Sequence, residues 1–189
     1  MIWLREHNLL IITPPKCGST SVHRTLCERG TGVYVMGPCY GFIEKHVWQS
    51  FPLWAKDCRK AVLVRHPWAR IASFYGHHRK YETPAIEWFD DWANSRMDRI
   101  VDNRSWFQRY ENVFIEWPEA TVLRIEHFWH DMMQAFGINV GIVDHVHVSP
   151  WSGRLRATES VLLDLWDYYR CDFVRGAYDT CWEEYFDVD

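Results

Sequence analysis

Asn8-Leu9-Leu10-Ile11-Ile12-Thr13-Pro14-Pro15-Lys16-Cys17-Gly18-Ser19-Thr20-Ser21 runs from an unbroken apolar stretch into a tight turn and then into a row of hydroxyl residues. The apolar run is too short for a buried helix and suits a strand covered on both faces of a parallel sheet, ended by the two prolines. From Ser19 to Arg29, Val22, Leu26 and Thr25 recur at helical spacing, and Gly30 supplies a stop. A strand that enters a glycine-containing turn and then a helix leaves backbone N–H groups at the positive end of the helix dipole, which is a site for phosphate or sulfate. Lys16 adds a full charge, Gly18 allows close backbone approach, and the hydroxyls of Ser19, Thr20 and Ser21 add donors. A Walker A loop is excluded, because there the lysine follows the second glycine and here it precedes one.

Working outward, the sequence predicts further strands at Gly32–Met36, Lys60–Val64 and Thr121–Ile125. Helices are predicted from Pro67, in Ala85–Ala93 and Ser105–Phe114, over Phe128–Phe136, and from a cap at Thr158 to Arg175. Pro67 suits a first helical position, and Trp68, Ile71, Ala72 and Tyr75 give its helix an apolar stripe. Residues His145 to Arg156 read as a loop. Strands alternating with helices imply an α/β fold with a mostly parallel sheet, in one domain over residues 1–189. Ligands of such sheets bind beyond the carboxyl ends of the strands, where Pro15–Ser21 and Arg65-His66-Pro67 both fall.

The bulk numbers narrow the choice of ligand. A net charge of −4 and a pI near 6.2 argue against nucleic acid, whose non-specific binding needs many Lys/Arg–phosphate contacts; a small anion needs only a local basic pocket. No window approaches the roughly 18 apolar residues of a membrane span, and the polar N-terminus does not read as a signal peptide, so a soluble cytoplasmic protein is expected. The six cysteines form no Cys-x-x-Cys pair and read as reduced thiols. His77-His78 and His145-x-His147 do not supply the three or four converging ligands of a zinc site, and no metal is expected. Aromatic residues make up 16% of the chain; Trp88, Trp92 and Trp106 read as core before they read as a platform for a sugar. Nothing in the sequence fixes the oligomeric state.

Two motifs in order carry a family resemblance. Pro15-Lys16-Cys17-Gly18-Ser19-Thr20-Ser21 resembles the 5′-phosphosulfate loop of the sulfotransferases, and Arg65-His66-Pro67 with Ser73, eight residues after the arginine, resembles their 3′-phosphate element. Leu123-Arg124-Ile125-Glu126 and Tyr169-x-x-Asp172-Phe173 with Tyr178 are similar to later segments of the family, the second to carbohydrate-type members. The Arg-Lys-Gly loop of the cytosolic small-molecule enzymes is missing; Arg154 and Arg156 stand where they could take over its contacts. Arg124 and Glu126 read as structural first.

The resemblance implies the P-loop-like sulfotransferase fold and transfer of a sulfuryl group from 3′-phosphoadenosine 5′-phosphosulfate (PAPS), leaving 3′-phosphoadenosine 5′-phosphate (PAP), without a metal. The acceptor would be a hydroxyl or an amine, with a glycan favoured over another small molecule. Pro15 to Ser21, Arg65, Ser73, Arg154 and Arg156 would hold the nucleotide, and Lys16 would meet the leaving oxygen. The base that takes the acceptor proton falls between the two motifs, in Gly41-Phe-Ile-Glu-Lys-His46. His46 is preferred because imidazole titrates near neutrality, with Glu44 as the alternative. Two other readings remain open: a P-loop nucleotide or small-molecule kinase, and a nucleotide-binding module without catalysis.

Overall fold

The computed structural model describes residues 1–28, 33–35, 56–81, 86–100, 109–141 and 154–189. The chain forms two compact units, Met1–Arg65 with Tyr110–His147 and His66–Arg109 with Val148–Asp189. It is α/β in class.

The first unit is built on a five-stranded sheet in the order β3-β1-β2-β4-β5, from β1 (Ile2–Leu4), β2 (Leu9–Ile12), β3 (Val33–Val35), β4 (Arg59–Val64) and β5 (Thr121–Arg124). All four side chains of β2 are buried, as an apolar run covered on both faces requires. β2 pairs in parallel with β4, Ile12 opposite Val62, and β4 in parallel with β5, Val64 opposite Arg124.

The expectation of a mostly parallel sheet needs correction. β1 lies antiparallel between β2 and β3, so the sheet is mixed, parallel only on the side that carries the turn. β1 escaped the sequence reading because it is three residues long and its flank is polar. It turns back through a 3-10 helix (Arg5–His7) and Asn8, whose left-handed φ of 47° is a conformation asparagine tolerates. Among the described residues this unit also holds the helices α1 (Ser19–Glu28), α4 (Glu111–Glu116) and α5 (Phe128–Phe136). α5 buries Phe128 and Met132 and stops at Gly137, in the left-handed conformation its sequence predicts.

The second unit packs α2 (Pro67–Tyr81), α3 (Phe89–Ile100) and α6 (Glu159–Gly176) with a small parallel pair, β6 (Leu155–Ala157) and β7 (Phe186–Val188). Pro67 does open α2, and Trp68, Ile71 and Tyr75 enter an aromatic core with Phe74, Phe89, Trp92, Leu162, Tyr169 and Phe173. The predicted helices Ala85–Ala93 and Ser105–Phe114 are displaced: residues 86–88 are not helical, and α4 starts only at Glu111. Part of the predicted loop is strand, since Leu155 and Ala157 point into the core while Arg156 points out, an alternation too short to read in the sequence. Thr158 takes the N-cap place of α6, but its side chain makes no capping bond. Trp92 is core, whereas Trp88 is 65% exposed; Trp106 lies outside the described residues. No helix among the described residues is long and apolar enough to cross a membrane.

A candidate anion-binding site at the strand ends

The carboxyl ends of β2 and β4 are neighbours in the parallel half of the sheet, and each releases one of the predicted elements. Beyond Ile12 the chain runs through Thr13, Pro14 and Pro15 and reverses at Lys16 and Gly18, both with positive φ, 64° and 80°. For Gly18 this conformation is natural. For Lys16 it is strained, and strain of this kind collects where a backbone is shaped for a ligand. A side chain at position 18 would also collide with a neighbour, because a Cβ there would lie 2.8 Å from Cγ1 of Ile125.

α1 begins at once: Val22 N–H donates to the Gly18 carbonyl at 3.1 Å, so the amides before it point out of the helix N-terminus. Ser19 is half-buried, Thr20 exposed and Ser21 buried. Pro15 is half-buried. Cys17 is fully buried with its donors turned inward: its N–H faces the Pro14 carbonyl at 3.4 Å, and its thiol lies 3.2 Å from the Tyr110 hydroxyl. It shapes the turn from behind.

Arg65 follows the last residue of β4, and its Nη1 donates to the Lys16 carbonyl at 3.4 Å. Burial, and then the Arg65 guanidinium, pull the Lys16 ammonium below the ordinary lysine range. Among the described residues neither cation is ion-paired with a carboxylate. Two cations beside outward-facing amides, without an acid between them, are the donor set of an anion site.

The third strand end differs. Arg124 donates from Nε and Nη2 to Asp131 at 3.1 and 2.8 Å, and its backbone N–H adds a bond of 2.9 Å. Burial would raise the Asp131 pKa, but these bonds, the Arg124 charge and His130 together hold it below the usual carboxylate range. Arg124 is thus tied up in structure.

In the second unit, Ser73 is half-buried on α2, six residues past Pro67. His66 is packed among Tyr178, Tyr185 and Phe173, with ring centroids 4.9, 5.0 and 5.7 Å away, and its Nε2 lies 3.7 Å from Asp179. Asp172 pairs with Arg70 at 3.8 Å, both buried, and with Tyr169 and Phe173 it belongs to this unit's interior. Exposed Arg154 sits 3.3 Å from Asp187, and Arg156 is exposed on β6. The His77 ring lies 4.6 Å from that of Tyr81, tilted against it, while His78 is buried and its Nε2 accepts from Ile86 N–H. Adjacent histidines on a helix thus point apart. Among the described residues no group of three His, Cys, Asp or Glu side chains could hold a metal ion. His46 and Glu44 lie outside the described residues.

Comparison with protein-family models, with curated proteins and with solved structures found no match to this chain.

The residue that sequence reasoning missed is Tyr110. It is fully buried, and its hydroxyl reaches Arg65 and Cys17, 45 and 93 positions away. No local pattern could have marked it, because its partners are brought together only by the fold.

Proposed function

We propose that this chain is a sulfotransferase that uses PAPS as donor. The observation that carries the reading is the Lys16–Arg65 arrangement: two cations from separately coded motifs, brought together at neighbouring parallel strand ends, with Lys16 depressed in pKa by burial and by its neighbour. The order and spacing of those motifs, Pro-Lys-x-Gly-Ser-Thr-Ser and then Arg-x-Pro, turn an anion site into a phosphosulfate site.

In this reading the turn from Pro15 to Ser21 binds the 5′-phosphosulfate, with Cys17 acting from behind, and Arg65 binds the 3′-phosphate. Ser73, Arg154 and Arg156 enter this reading only through the family resemblance of their sequence positions. The acceptor oxygen forms a bond to sulfur as the bond from sulfur to the bridging phosphate oxygen breaks. The acceptor proton passes to His46 or, failing that, Glu44, and PAP leaves. Charge develops on the bridging oxygen, where Lys16 stabilises it; catalysis is positioning and electrostatics. A glycan hydroxyl is the favoured acceptor.

Calorimetry tests this directly. PAP is expected to bind, and adenosine 5′-phosphosulfate, which lacks the 3′-phosphate, to bind about tenfold more weakly or worse. Tight ATP binding with indifference to the 3′-phosphate would overturn the reading in favour of a kinase.

A further inference from the structure

We propose that Tyr110 is a positioning residue for the anion site, a buried clamp that sets where Arg65 and Lys16 stand; its link to sulfuryl transfer rests on the function proposed above. Val64 is the last residue of β4 with a partner in the ladder to β5, so Arg65 has passed beyond strand pairing. The Tyr110 hydroxyl takes the place of the missing strand. It accepts from Arg65 N–H at 2.9 Å and donates to the Arg65 carbonyl at 2.9 Å. Both backbone groups of the arginine are thereby fixed, and with them the direction in which its guanidinium leaves the chain.

The same oxygen meets the Cys17 thiol at 3.2 Å. A phenol has one proton, and with it on the Arg65 carbonyl the contact draws on the thiol hydrogen, which the Tyr110 oxygen shares with the Pro15 carbonyl 3.6 Å from the sulfur. Cys17 lies between the two positive-φ residues of the turn, and holding it holds Lys16 in its strained conformation. One atom, carried by the residue that precedes α4, thus ties the end of β4 to the turn after β2. Keeping two cations near each other before the ligand arrives opposes their repulsion, and a fixed scaffold avoids reorganisation when the anion binds. Tyr110 is fully buried and acts through Arg65 and Cys17 rather than on the ligand.

The test is Tyr110→Phe, which keeps the ring and removes the clamp. Titrations with PAP and with inorganic pyrophosphate should each show binding roughly tenfold weaker than wild type. Amide hydrogen exchange should quicken at Arg65 while amides of the β1–β2 hairpin keep their wild-type rates, a local signature that general destabilisation would not give. Unchanged affinity for both probes overturns the proposal, whatever the exchange shows. If wild type ignores PAP but the substitution still weakens pyrophosphate binding and speeds Arg65 exchange, the clamp stands and the sulfotransferase reading falls. If Tyr110→Phe does not fold, Cys17 supplies the second arm. Cys17→Ala should weaken pyrophosphate binding and Cys17→Ser, which keeps a donor, should restore it; an alanine variant that binds as wild type overturns the clamp.

Discussion

At the carboxyl ends of two neighbouring parallel strands, Arg65 and Arg124 begin from the same chemistry and are used in opposite ways. Arg124, opposite Val64 across the β4–β5 ladder, spends its guanidinium and its own N–H on the buried carboxylate of Asp131. Arg65, one residue beyond Val64, meets no carboxylate among the described residues and instead leans on the backbone of a second cation. A paired arginine lowers the cost of its own burial and is accounted for by the fold. Two crowded cations raise the folded state's energy, and an arrangement that destabilises the empty protein makes sense where an anion fills it.

The most damaging test of that contrast is to remove the crowded lysine. Lys16→Met should cost PAP affinity and donor turnover on the order of a hundredfold or more, measured by calorimetry and by transfer from labelled donor. Stability should move the other way. Because the folded-state pKa of Lys16 is lowered, the protein carries the burden of its charge at neutral pH, and that burden lifts only as pH rises toward the ordinary lysine value of about 10.4. Lys16→Met should therefore melt no lower than wild type at pH 7, with the difference shrinking at alkaline pH, where wild-type anion binding also fades. A variant that binds PAP normally breaks the comparison.

A second test uses the point where the two strand ends touch. Ile125, next after Arg124, packs so closely on Gly18 that a Cβ there would stand 2.8 Å from it. Gly18→Ala is expected to destabilise by about 2 kcal/mol, shared between the positive φ and the overlap. In an Ile125→Ala background the overlap share should vanish and the conformational share remain, which denaturant unfolding of the four proteins would resolve. A cost for Gly18→Ala below about 0.5 kcal/mol would mean that the turn relaxes and that Ile125 does not shape it.

Much of this geometry was legible before any coordinates. The run Leu9–Ile12, the stop at Pro14-Pro15, the helix from Ser19 and the opening of α2 at Pro67 each depend on neighbours in sequence, and each stands where its residues place it. What stayed hidden was set by distant partners. β1 and β7 are three-residue strands whose existence rests on pairing, α3 begins at Phe89 rather than at Ala85, and the sheet's antiparallel half follows from β1 folding back on β2. In the candidate site, Lys16 and Arg65 could be named from motif spacing, but not the lowered pKa that their proximity produces. Tyr110 had no signal at all, since a buried tyrosine in an aromatic-rich chain looks like core until its hydroxyl is seen between Arg65 and Cys17.

The gentlest test separates the paired arginine from the crowded one. Asp131→Asn keeps the side chain's shape and an acceptor while removing its charge, and it should cost about 1 kcal/mol at neutral pH, since the Arg124 side chain remains 31% exposed. The pH dependence has a definite sign. Asp131 has a folded-state pKa below its unfolded one, so its contribution is present in full above about pH 5, and it is lost as acid protonates the carboxylate below an ordinary value near 4. The unfolding curves of wild type and Asp131→Asn should therefore converge on acidification. Meanwhile PAP affinity at pH 7 should stay within about twofold of wild type, a change of under half a kcal/mol. If binding collapsed while stability held, Arg124 would belong to the anion site alongside Arg65, and three strand ends rather than two would serve the ligand.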